Sequence, residues 1–155
     1  MGYQVSWLLD NRILLVAYEG VMTKADLQAY LAEAAEMRDR ANALLGEGGP
    51  LVHTLTDARG MTGTDLSLKE ALKTLEALRQ QRVGWSVYIP ASKTDEYFSV
   101  VGHQIAGVRF RCVPSISDAV DFLKRMDESL RDFDYASSVT LMRNPLKAAS
   151  LQAKG

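Results

Sequence analysis

Six polar residues crowd into eleven consecutive positions of this chain: Asp57, Arg59, Thr62, Thr64, Asp65 and Ser67. They follow an apolar run at residues 51–56 that reads as a buried strand, and they are interrupted by Gly60 and Gly63. The chemistry available to them is recognition. Carboxylates accept backbone N–H groups, an arginine fork pairs with carboxylates or other anions, and a serine at a helix start can carry a phosphate near the positive end of the helix dipole. In open α/β sheets the carboxyl ends of strands and the helix starts beside them are where ligands and partners meet the fold. The six are therefore candidate partner- or ligand-binding residues, and Ser67 is in addition a possible phosphoacceptor. Each also has a structural role to weigh. Ser67 with Glu70 fits the S-x-x-E capping box, in which the two side chains satisfy helix-start N–H groups. Asp57 suits a loop-capping carboxylate, and Arg59 a solvated loop arginine.

Nothing else in the chain assembles into a catalytic constellation. His53 lies in the apolar run and His103 in a helical stretch fifty residues later, with no acidic or cysteine cluster at metal-ligand spacing near either. Cys112 is the single cysteine, so no intrachain disulfide forms and no positioned base is evident for a thiolate. Gly60-Met61-Thr62-Gly63 reads as a flexible turn rather than a phosphate loop. No metal, no cofactor and no enzymatic activity are expected. His103 with Tyr97 and Gly102 can border a pocket or simply form a half-buried helix face. Trp85, Tyr88, Tyr97 and Phe98 allow either a small apolar ligand or plain core packing.

The elements that position these residues follow from hydrophobic periodicity. Residues 3–9 and 12–18 are β-type runs joined by Asp10-Asn11, a dipeptide suited to a tight hairpin. Thr23 and Asp26 open a helix whose face carries Leu27, Leu31, Ala34, Met37, Ala41, Leu44 and Leu45, and Gly46 ends it. After the strand at 51–56, Leu68, Ala71, Leu72, Leu75 and Leu78 recur at helical spacing from a start near Ser67. Residues 83–89 form a strand stopped by Pro90. A helix beginning near Asp95 points Phe98, Val101 and Ile105 inward, and residues 108–113 alternate as the last strand. Ser115 and Ser117 start a final helix bearing Ile116, Val120, Leu123, Met126 and Leu130. The order ββαβαβαβα predicts a mixed five-stranded sheet, parallel apart from the N-terminal hairpin, with about four helices.

With 155 residues, 47% of them hydrophobic, the chain suits one core: a domain over 1–130 and a C-terminal extension over 131–155, partly ordered or docked on a partner. A net charge of −1 with interspersed signs gives no reason to expect nucleic acid. The lone cysteine and the lack of a leader or long apolar segment make a cytoplasmic protein, not an integral membrane one, the expectation. Phe133, Tyr135, Val139, Leu141 and Met142, together with an open sheet edge, point to self-association as a homodimer.

The element order and the segment from Asp57 to Leu68 resemble the STAS domain of bacterial anti-sigma-factor antagonists, and more closely the SpoIIAA-like proteins related to CRAL-TRIO lipid-binding domains. In the antagonists an apolar strand ends in Asp, and eight residues later Asp-Ser-Ser-Gly opens a helix. Asp57 and Asp65 have that separation, Asp65-Leu66-Ser67-Leu68 occupies the motif, and Ser67 matches the phosphorylated serine. Leu66 and Leu68 replace the first serine and the glycine. The resemblance implies a non-enzymatic regulatory module that docks through residues 57–68 on a protein such as a regulatory kinase or anti-sigma-type partner. Its CRAL-TRIO side implies the alternative, a domain for a small molecule or lipid.

Overall fold

The computed structural model describes residues 2–79 and 82–136. The chain divides into two compact units, Met1–Ala119 and Val120–Gly155. The first holds a five-stranded sheet in the order β1 (Tyr3–Leu9), β2 (Ile13–Met22), β3 (His53–Thr64), β4 (Ser86–Ile89), β5 (Phe110–Cys112). β1 and β2 are antiparallel and every later pairing is parallel, so the sheet is the mixed one that the element order requires. The hairpin turns at Asn11, whose φ of 61° is the left-handed conformation that Asn tolerates better than most residues.

Three helices connect the parallel strands: α1 (Lys24–Leu45), α2 (Leu68–Arg79) and α3 (Lys93–Ala106). Thr23 and Asp26 close a full capping box at the start of α1, each side chain taking the other's backbone N–H at 3.1 Å. Ser92 caps α3, three residues ahead of the start that Asp95 suggested, because its hydroxyl accepts the Asp95 N–H. Successive crossovers run in one direction across the sheet, and with a common hand they put all three helices on one face. Leu14, Val16, Thr56 and Tyr88 point to that face; Ile13, Leu55, Val87 and Ile89 point to the other, and all are buried. α4 (Ile116–Met126), capped by Ser115, crosses from the first unit into the second. In the second unit a 3₁₀ turn at Glu128–Leu130 is capped by Asp127, and the Lys124 ammonium donates to the Phe133 carbonyl at 2.9 Å. Phe133 and Tyr135 are half-buried; Val139, Leu141 and Met142 lie outside the described residues.

The structure corrects the expected turn after the third strand. Residues 57–64 are strand, not loop: β3 continues to Thr64 against an equally prolonged β2. Two register shifts in the pairing, between Ala17 and Glu19 and between Gly20 and Val21, absorb the irregular backbone. Gly60 is glycine for closeness rather than for turning, since a Cβ there would sit 2.6 Å from the Tyr18 carbonyl oxygen. Partner-strand hydrogen bonds thus override a composition that locally favours a turn. Several residues assigned to apolar helix faces are also exposed: Leu44, Leu68, Phe98, Ile105 and Met126. The side chains of Leu75 and Leu78 lie outside those described.

Candidate functional site

The extended end of β3 and the start of α2 form the rim of a cleft of about 600 Å³ between the sheet and α1, α2 and α3. The rim is held by short-range polar ties. Ser67 and Glu70 make the anticipated capping box: the Ser67 hydroxyl accepts the Glu70 N–H at 3.2 Å, and the Glu70 carboxylate accepts the Ser67 N–H at 3.0 Å. That backbone bond, with Lys24 3.2 Å away, holds the Glu70 carboxyl below the usual carboxylate range. Thr64 donates to the Met22 carbonyl and accepts the Leu66 N–H. Asp65 accepts the N–H of Lys24, so it caps the first turn of α1 from across the chain.

The six sequence-selected residues do not form one site. Thr62, Thr64 and Ser67 line the cleft. Asp65 is turned to α1. Asp57 and Arg59 pair with each other away from the cleft, through two side-chain bonds of 2.9 and 2.8 Å and a backbone bond of 3.1 Å. Those side-chain bonds are the main reason the Asp57 carboxyl lies below its usual range, against the opposing effect of partial burial.

The floor of the cleft joins two residues that the sequence suggested, Tyr88 and His103, to two that it did not, Tyr18 and Tyr30. Tyr18 on β2 and Tyr30 on α1 stand edge to face with ring centroids 5.7 Å apart, close enough for each hydroxyl to influence the other. Burial raises both phenols, and that of Tyr88 as well. The Tyr88 hydroxyl donates to one Asp95 oxygen at 3.1 Å, while the Ala91 N–H donates to the other at 2.8 Å. His103 shares 2.7 Å with the Ser99 carbonyl through Nδ1, so Nδ1 carries the proton and Nε2 is an acceptor. Its ring stacks on Phe110 at 3.7 Å, and burial pushes its pKa down. A signal for the tyrosine pair did exist in the sequence: Tyr18 continues the alternation of Leu14 and Val16, and Tyr30 lies on the Leu27–Ala34 helix face, so both are half-buried aromatics with a polar tip.

Of the pocket residues proposed from sequence, His103, Gly102, Tyr88 and Phe98 do line the cleft, whereas Tyr97 is exposed. Trp85 borders a separate 80 Å³ cavity. His53 is a structural residue: buried at the start of β3, it accepts the Trp85 N–H at 2.9 Å through Nδ1, and any side chain at Gly84 would strike its ring. Partial burial raises the Cys112 thiol to about 11, which keeps it protonated at neutral pH. Among the described residues no group of three His, Cys, Asp or Glu side chains could hold a metal ion, and no helix is long and apolar enough to cross a membrane.

Solved structures similar to this one include the following two. The first is an uncharacterized protein from the DUF3478 family with a SpoIIAA-like fold from Shewanella loihica, with a TM-score of 0.55 and 20% identity, the match covering 78% of this chain and 91% of that one. The second is the anti-sigma factor antagonist SpoIIAA in its unphosphorylated form, with a TM-score of 0.51 and 13% identity, covering 79% and 96%. The chain has the SpoIIAA-like, or STAS, fold. No protein-family model matches the sequence, and no curated protein matches it.

Proposed function

We propose that this chain is a non-enzymatic interaction module of the STAS type that docks on a protein partner, of the regulatory kinase or anti-sigma kind, through the face formed by residues 57–68. One observation carries the reading. Arg59, Thr62, Thr64, Asp65 and Ser67 are all exposed along the end of β3 and the start of α2, with Thr62, Thr64 and Ser67 on the cleft, Asp65 towards α1 and Arg59 paired to Asp57. A phosphate on Ser67 would sit at the N-terminus of α2 beside Asp65 and Glu70, adding charge where a partner can read it. The test compares proteins retained from the native host by wild type, Ser67→Asp and Arg59→Ala. Loss of a partner by either variant with an unchanged melting curve supports the surface; retention of every partner by both removes it.

Self-association and a cytoplasmic location belong to the same proposal, the first because β1 is an outer strand of seven residues and the second because the lone cysteine fits a reducing compartment. Sedimentation showing only monomer at high concentration would remove the dimer.

A second reading is favoured by the cleft itself. Its volume of about 600 Å³ lies within the range of small-molecule sites, and its walls mix apolar side chains with a few converging polar groups. In this reading the module binds a small, largely apolar molecule beneath its docking rim.

A further inference from the structure

Resting on the small-molecule reading, we infer that the cleft takes an uncharged amphiphile: an apolar body carrying a hydroxyl or carbonyl at one end, with that end on the tyrosine floor. The charge inventory decides the class. Among the described residues that line the cleft there is no lysine or arginine, and Asp95 is the only carboxylate. Both Asp95 oxygens already accept a hydrogen bond, one from the Tyr88 hydroxyl and one from the Ala91 N–H, so a cationic head would have to share that carboxylate with two internal donors. An anionic head would be desolvated beside that carboxylate with no counter-charge among the cleft's lining residues, the Arg38 guanidinium acting on Tyr30 from a separate cavity. A neutral hydroxyl or carbonyl carries no such penalty, and the floor supplies matching groups: the Tyr18–Tyr30 hydroxyl pair, the Thr56 hydroxyl, and the acceptor Nε2 of His103.

The rest of the cleft suits the body of such a molecule. Met22 and Leu27 form the inner wall, and Met61, Leu66 and Leu68 lie towards the rim. Leu68 on α2 and Phe98 on α3 both line the cleft with 45% and 50% of their surface exposed, apolar area that an entering chain would cover. Because Thr62, Thr64 and Ser67 belong both to this cleft and to the docking rim, an occupied cleft also changes what a partner meets there.

Three probes of equal chain length separate the classes: decanol, decanoate and decyltrimethylammonium, each titrated below its micelle concentration into the full chain at pH 7.5. Backbone amide shifts locate binding, and titration calorimetry measures it. The expected result is decanol bound at least about tenfold more tightly than either ion, a difference of about 1.4 kcal/mol, with shifts at Tyr30, Thr56 and His103. Ala71→Trp, which fills the cleft from α2, is expected to weaken decanol about tenfold or more. Tyr30→Phe, a milder change, serves the same end by narrowing the margin of decanol over decanoate. Decanoate or the ammonium bound in the cleft as tightly as decanol overturns the uncharged class and leaves the small-molecule reading standing. Absence of binding by all three probes, or shifts confined to residues outside the cleft, overturns both.

Discussion

The rim and the floor of the cleft hold their polar groups in opposite ways. On the rim Ser67 pairs with Glu70, and beside it on β3 Asp57 pairs with Arg59, each two or three residues apart with at least one partner exposed. On the floor, Tyr18 meets Tyr30 and Thr56 pairs with Tyr88, groups drawn from separate elements, the first two half-buried and the last two buried. The same atoms are therefore worth different amounts. An exposed hydrogen bond replaces one to water and nets little, whereas a buried group stripped of its partner bears the whole cost of desolvation. Substitutions on the floor should register as lost stability, and those on the rim as altered recognition with the fold intact.

The largest effect expected is at Asp95. Asp95→Ala removes the acceptor of the buried Tyr88 hydroxyl and of the Ala91 N–H, and also an acidic group from the first turn of α3. The expected loss is about 2 kcal/mol by urea denaturation, with Tyr88→Phe losing about half as much because it removes donor and need together. If Asp95→Ala costs no more than a rim substitution, the contrast between floor and rim is broken.

Ser67→Ala comes next, at about 1 kcal/mol, the usual value of an N-cap hydroxyl. Ser67→Asp keeps a capping oxygen and should melt close to wild type. Equal losses from the two would show that the hydroxyl does something in the folded state besides capping, and melting curves are sufficient to tell.

A smaller effect sharpens the contrast through pH. Burial lowers the His103 pKa from 6.5, so the folded state resists a proton that the unfolded chain accepts. Stability from this group is complete above the unfolded value and declines as pH falls below it, since the unfolded state then binds more protons. His103→Gln should flatten the fall in stability between pH 7 and pH 5. A difference curve against wild type that shows no pH dependence in that window would mean His103 is as solvated as a rim residue.

The caps of the rim were legible in sequence and the floor only in part, Tyr88 and His103 but not Tyr18 and Tyr30, for the same physical reason that separates their energetics. The Ser67–Glu70 box, the Thr23–Asp26 box and the Asn11 hairpin are decided by residues within three positions of each other, and the structure has each of them. The strand order follows from hydrophobic period and the crossover rule. By contrast, Tyr18, Tyr30, Tyr88 and Asp95 lie in four elements, and only the folded sheet brings them to one cavity. The error over residues 57–64 has the same origin: two glycines read locally as a turn, while β2, some forty residues earlier, supplies the ladder that makes them strand. Leu68 and Phe98 fit helical periodicity, but the face they share opens on a cleft instead of a filled core.

The smallest effect expected is at Arg59, and it is the sharpest test of the rim. Its bonds to Asp57 have good bidentate geometry, yet the side chains are 50% and 18% exposed, so water screens the pair and regains most of what the bonds supply. Arg59→Ala should change stability at pH 7 by no more than about 0.5 kcal/mol. The Asp57 carboxyl should nevertheless move, because the arginine bonds are the chief cause of its lowered pKa. A lowered carboxylate stabilises the fold above its unfolded pKa and loses that contribution as pH falls through the folded value. In Arg59→Ala this acid-side dependence should shrink, and the Asp57 carbon resonance should titrate closer to the ordinary carboxylate range. A titration that moves while the melting curve does not would establish a side chain positioned for charge recognition rather than stability. A loss above about 1 kcal/mol would exceed what exposed pairs contribute, and would place Arg59 with the floor in the energetics of the fold.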